Sequence, residues 1–142
     1  MAKTIQLEVV TPEHLLLSQA VEEVIAPGSE GDFGVLPGHT YFLTTLRAGE
    51  LRYRVGELMH YMSVLWGFAE VTPTSVRILA EIAEKAEDID PARAQAAVEK
   101  AERLLESGTL LPSDLEAARV SLEKARLRKK LAERVRGGRS RV

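Results

Sequence analysis

The spacing of apolar residues changes once along these 142 residues, and that change constrains the fold more than any motif does. Up to about residue 80 the period is near two. Ile5, Leu7 and Val9 alternate with polar residues, as do Leu51, Tyr53 and Val55, and Val76, Ile78 and Ala80 close the series. Residues two apart share one face of a strand, so each run reads as a half-buried strand. Turn-forming stretches separate them: TPEH at 11–14, APGSEG at 26–31, LPGH at 36–39, AGE at 48–50, GE at 56–57 and TPTS at 72–75. Many short strands punctuated this often predict a β-sandwich or barrel.

After residue 88 the period is helical. Asp90–Pro91 supplies a helix N-cap followed by proline at the first helical position, where a missing N–H costs nothing. Alanine dominates to about Glu106, and Gly108 is placed to end the helix. Ser113-Asp114-Leu115-Glu116 fits a capping box that starts a second helix, which runs to about Arg136 before GGRSR frays. The short link SGTLLP predicts that the two helices lie antiparallel. The fold class is therefore α+β: an N-terminal β-sandwich over 1–86 followed by a C-terminal antiparallel α-helical hairpin over 87–142.

The inward positions of that hairpin are mostly alanine: Ala94, Ala97, Ala101, Ala118 and Ala125, with Leu104, Leu105, Leu115 and Leu122. Burying a methyl contributes about 0.8 kcal/mol, against about 1.5–3 kcal/mol for a large aliphatic side chain. Each helix should persist on its propensity while the contact between them breaks easily. Such a pair suits a conformational switch; a poorly packed appendage is the alternative.

Net charge is −2, but the charge is divided unevenly. Residues 119–142 hold ten Lys or Arg against Glu123 and Glu133, whereas the other 118 residues hold nine basic and nineteen acidic side chains. A basic end of this kind fits an acidic protein, nucleic acid or a membrane surface. No aromatic residue follows Phe68, so stacking on bases is unavailable, and basic charge alone would bind nucleic acid weakly and nonspecifically. Cations near a helix C-terminus also offset its dipole, which accounts for part of the excess. An acidic protein partner is the preferred reading; a sandwich with a nucleic-acid-binding arm is the runner-up.

Enzyme chemistry has little to stand on. There is no cysteine, which removes disulfides and thiolate catalysis and fits a reducing compartment. The stretch MAKTIQLEVVTPEH reads as no signal peptide, and nowhere do about 18 apolar residues run together as a membrane span requires. His14, His39 and His60 lack metal-ligand spacing, so no metal site is expected. No catalytic motif or phosphate-binding loop is present. The triplet Asp32-Phe33-Gly34 within GSEGDFGVLPGH is the magnesium-holding triplet of protein kinases, but the other kinase motifs are missing. It reads as a turn, in which glycines supply positive φ and Asp32 bonds its own backbone. Phe33, Val35 and Leu36 then either tuck into the core or form a contact surface. Trp66 reads as core or as a subunit contact.

The combination GSEGDFGVLPGHTYFLTTLRAGELR, then WGFAEVTPTSVRILAEIAE, closely resembles the epsilon subunit of bacterial F-type ATP synthases, over essentially the whole chain. Tyr41 stands where proline is common in that family, and Trp66 where glycine is common. The resemblance implies a non-catalytic rotor subunit in a proton- or sodium-translocating complex. It is expected to be peripheral on the cytoplasmic face of the bacterial inner membrane and to meet the membrane only through that complex. Its sandwich is expected to bind the gamma subunit and rest on the c-ring through Glu30, Gly31, Asp32, Phe33 and His39. Its hairpin is expected to extend into the alpha/beta catalytic hexamer, where Lys124, Arg126, Arg128, Lys129 and Lys130 meet acidic segments and restrain hydrolysis. No cofactor is required and no nucleic acid is a partner on this reading.

Ile89-Asp90-Pro91-Ala92-Arg93-Ala94 also matches the I/L-D-x-x-R-A motif that binds ATP as a regulatory ligand in some bacterial epsilon subunits. By the same resemblance Glu84 contacts adenine, and Arg128, Lys100 and Lys124 complete the set. The two lysines replace arginines, keeping charge but losing the bidentate fork. Asp90 has an N-cap role open to it in any case.

Overall fold

The computed structural model describes residues 3–136, so the GGRSR stretch and the cations at 139 and 141 lie outside the described residues. The chain divides into two compact units, one ending at Lys85 and one beginning at Ala86.

The first unit is a β-sandwich of eight strands: β1 (Ile5–Val10), β2 (Leu15–Val21), β3 (Glu23–Gly28), β4 (Gly31–Val35), β5 (Phe42–Leu46), β6 (Gly49–Val55), β7 (Leu58–Val71) and β8 (Ser75–Lys85). β1 pairs antiparallel with β2 and parallel with β8, and β8 pairs antiparallel with β7. The long β7 serves two neighbours on its other side. Residues 58–64 pair with β6, and residues 67–71 pair with β5. β3 then joins β6, β4 and, at Gly28–Leu46, β5. The alternating residues meet in one core. Ile5, Leu7, Val9, Leu51, Tyr53, Val76, Ile78 and Ala80 are all buried there, with Val24, Val35, Met62, Val64, Ala69 and Val71 among their neighbours.

β7 reaches that core with two different parities. Met62 and Val64 point inward before the middle of the strand, Ala69 and Val71 after it. The shift occurs at Trp66 (φ +52°) and Gly67 (φ +151°), consecutive residues on the positive-φ side of backbone space. Gly67 has no substitute here, because a Cβ would lie 1.9 Å from the Leu79 carbonyl oxygen. Trp66 is a non-glycine residue in the left-handed region, which costs energy. The residue is 37% exposed.

Two turn readings need correction. Asp32-Phe33-Gly34 is strand, not turn: β4 pairs Phe33 with Ala26 and Asp32 with Pro27. The turn is only Ser29–Glu30, closed by the Gly28–Gly31 pair. Asp32 bonds arginine side chains instead of its own backbone. Likewise Gly49 and Glu50 belong to β6, and the turn before it is Arg47–Ala48. The LPGH stretch is a turn as read. His39 N–H donates to the Leu36 carbonyl (3.1 Å), with Pro37 and Gly38 (φ +87°) in the positions a type II turn requires.

The second unit is a short 3-10 turn (Ala86–Asp88) and two helices, α1 (Pro91–Ser107) and α2 (Pro112–Arg136). Asp90 caps α1, accepting from Ala92 N–H (2.9 Å) and Arg93 N–H (3.3 Å), and Gly108 closes it with φ +68°. The capping box is not where the sequence placed it. α2 begins at Pro112, with the Leu111 carbonyl accepting from Leu115 N–H (2.8 Å), which puts Ser113 inside the first turn. Proline at the first helical position fixes φ and has no N–H to orphan, so it sets the start. The helices pack antiparallel, with Arg126 of α2 paired to Glu102 of α1 (3.2 Å). Ala94, Ala101, Ala118 and Ala125 are buried, together with Val98, Leu131 and Ala132. Ala97 is only half-buried and Leu104 is 43% exposed. The buried set on α1 follows 4–3 spacing through Val98, which keeps one stripe toward a neighbouring helix and turns Leu104 away from it.

Candidate functional site

Three groups of residues carry the functional reading. The first lies on the sandwich and is split by β4. The Ser29–Glu30 turn precedes that strand and the Leu36–His39 turn follows it, so Glu30 and His39 lie beyond opposite ends of a strand about 13 Å long. Glu30, Gly31 and Asp32 are exposed. The Asp32 carboxylate is held by Arg47 Nη2 (2.5 Å) and, more loosely, by Arg52 Nη2 (3.5 Å). Phe33 is half-buried, packs on the core, and meets Phe42 edge-on with ring centroids 5.2 Å apart. His39 also lies near Phe42, 6.3 Å between centroids, and its Nδ1 is 2.7 Å from the Thr40 carbonyl oxygen. Phe33, Phe42 and His39 are thus brought together, while Glu30 is not with them. The apolar trio resolves three ways: Val35 is core, Phe33 is half-buried and Leu36 is 55% exposed.

The nucleotide-motif residues are distributed over both units. Glu84 is half-buried near the end of β8 and pairs with Ser63 of β7, whose hydroxyl donates to its carbonyl oxygen (3.5 Å). Within the second unit Ile89 and Ala94 are buried, and Arg93 and Lys100 are exposed. Lys124 and Arg128 are half-buried, one turn apart on α2. A groove of about 460 Å³ lies between the start of α1 and the last turns of α2, lined by Asp90, Pro91, Ala92, Gln95, Lys129 and Glu133. Pro91 and Ala92 belong to the motif stretch, but of Glu84, Ile89, Asp90, Arg93, Ala94, Lys100, Lys124 and Arg128 only Asp90 is among the lining residues. Gln95 and Glu133 were missed by the sequence reading. The antiparallel hairpin places the end of α2 beside the start of α1, which is the signal that would have found them.

The third group is the basic face of α2. Arg126 and Lys130 are exposed, one turn apart, while Lys129 is half-buried beside the groove. Arg126 already holds Glu102. Among the described residues no cluster of His, Cys, Asp or Glu could hold a metal ion, and no helix is long and apolar enough to cross a membrane.

Comparison with known proteins covers both units. Residues 4–86 match the family model described as the ATP synthase delta/epsilon chain β-sandwich domain, and residues 87–133 match its long α-helix domain. The chain is similar to the ATP synthase epsilon chain of Syntrophobacter fumaroxidans, 48% identical over 94% of this chain and 99% of that one. It is similar to ATP synthase epsilon chain 2 of Syntrophotalea carbinolica, 45% identical over 98% and 99%. Among solved structures it resembles a chain in the cryo-EM structure of the Euglena gracilis mitochondrial ATP synthase, OSCP/F1/c-ring, with TM-score 0.76 and 25% identity over 89% of this chain and 79% of that one. A chain of the Tetrahymena thermophila mitochondrial ATP synthase central stalk and c-ring shares the fold, with TM-score 0.57 and 15% identity over 89% and 94%.

Proposed function

This chain belongs to the delta/epsilon chain family of ATP synthases, as an epsilon chain, and from that premise we propose that it is a non-catalytic central-stalk subunit. Its sandwich couples the gamma subunit to the c-ring, and its hairpin restrains ATP hydrolysis. The coupled ion is a proton or sodium, and the subunit meets the bacterial membrane only through the complex, on the cytoplasmic side.

The observation that carries this reading is the contrast within the hairpin. Its buried positions are largely alanine, yet α2 carries Lys124, Arg126, Arg128, Lys129 and Lys130 within two turns. A small apolar seam makes separation of the helices inexpensive. A basic face gives the separated α2 a target in acidic segments of the alpha/beta hexamer. Replacing the five cations by glutamine in the assembled complex is expected to raise ATP hydrolysis several-fold without loss of assembly. Unchanged hydrolysis would remove the inhibitory role.

ATP is proposed as a regulatory ligand of the folded hairpin, bound without hydrolysis. The support is the Ile89–Ala94 motif and the groove beside Asp90, with Lys129 on its opposite wall. Calorimetric titration with MgATP is expected to give saturable heat that Arg93→Ala abolishes. No heat at millimolar ATP would leave the hairpin to respond to rotor direction alone.

A further inference from the structure

The turns Ser29–Glu30 and Arg47–Ala48 are fastened to each other more thoroughly than neighbouring turns need be. Ser29 N–H donates to the Thr45 carbonyl (2.9 Å), and Arg47 N–H donates to the Pro27 carbonyl (3.0 Å). The Ser29 and Thr45 hydroxyls are 2.6 Å apart. Gly49 leaves the room this requires, since a Cβ there would lie 2.5 Å from Pro27 Cβ and 3.0 Å from Arg47 Nη1. Arg47 then crosses to the Asp32 carboxylate on β4, which Arg52 also approaches, while Arg52 Nε faces Glu50 (3.4 Å). Two arginines and two carboxylates make this cluster neutral. The Glu30 carboxylate, at the tip of the same turn, forms no hydrogen bond or ion pair with the described residues.

We propose that Arg47 is a positioning residue for the ring-facing end of the sandwich. Its ion pair with Asp32 locks the two turns into one platform, so that Asp32 acts through the lock and Glu30 presents the free negative charge to a polar loop of the ring. An exposed ion pair adds little to global stability. Its effect here is local: it fixes the direction in which the Ser29–Glu30 turn points and resists relative motion of two loops that would otherwise yield under load. This inference rests on the reading that this end of the sandwich meets the c-ring.

The test uses the full chain and the complex assembled with it. Amide exchange at Ser29 and Arg47 is measured in the full chain, and ions pumped per ATP hydrolysed in the reconstituted complex. Arg47→Ala and Asp32→Asn should each speed exchange at both amides by roughly two- to fivefold, the size an exposed ion pair carries. The double variant should be no faster than either single one. Both should lower the pumping ratio equally, and exchanging the charges (Asp32→Arg with Arg47→Asp) should restore exchange and pumping together. A pumping loss in Asp32→Asn alone, with Arg47→Ala unchanged in both measurements, would overturn the lock and make Asp32 a direct contact. If exchange moves as expected but pumping is unaffected in these variants and in Glu30→Gln, the lock survives as structure while the ring reading, and with it the positioning role, fails.

Discussion

The two units of this chain use opposite strategies to stay folded. The sandwich buries Ile5, Leu7, Leu51, Met62 and Ile78 completely in one core whose members come from every part of the first 85 residues. Each such side chain contributes about 1.5–3 kcal/mol, and none can leave without exposing others. The hairpin buries chiefly methyl groups, at Ala94, Ala101, Ala118 and Ala125, and relies on alanine's helix propensity for the rest. Long-range packing makes the first unit a rigid frame. Local propensity makes the second a pair of durable helices with a replaceable contact. The role proposed for the chain, transmitting force and also changing state, would use both properties, and the chain keeps them in separate units.

The comparison can be broken most severely at Gly67. Gly67→Ala places a methyl against the Leu79 carbonyl in a backbone region closed to other residues, and should destabilise the sandwich by about 4 kcal/mol. Urea unfolding followed at Trp66 would show it, and helix content at low denaturant should be unchanged. Leu7→Ala comes next, with about 3 kcal/mol lost from the same transition. Asp90→Ala moves the effect to the other unit, since it frees two N–H groups at the start of α1; a loss of about 1 kcal/mol confined to the helical signal is expected. The smallest effect on stability belongs to Lys130→Gln, within about 0.5 kcal/mol of the parent. That change should leave both unfolding transitions in place, which separates the binding role proposed for the basic face from any role in folding.

How much of this was legible in the sequence depended on the range of the physics involved. Strands β1, β6 and β8 were visible because alternation is a local pattern, and α1 because Asp90, Pro91 and Gly108 mark its ends within a few residues. β4 was not visible. Gly31 and Gly34 look like turn residues, and what makes them strand is pairing with β3. Asp32's partners stand 15 and 20 residues away, so nothing local could name them. The parity change in β7 was hidden as well, because a tryptophan in the left-handed region looks like any core or surface tryptophan until its φ is known. In the hairpin the alanine seam was readable, but Val98, Leu131 and Ala132 were left out by extending an alanine pattern past the residues that carry it. The groove beside Asp90 needed the register of the two helices, which fixes Lys129 and Glu133 opposite Gln95.

The frame and the hairpin are expected to unfold as energetically separate units. The chain offers a direct test, because Trp66, its one tryptophan, lies in the sandwich, whereas the helices dominate circular dichroism at 222 nm. A urea titration of the full chain would follow both signals in the same samples. The expected result is two transitions that do not coincide, with the helical signal lost at lower urea than the Trp66 signal. Superimposable transitions with a single slope would contradict the separation and make the chain one cooperative unit.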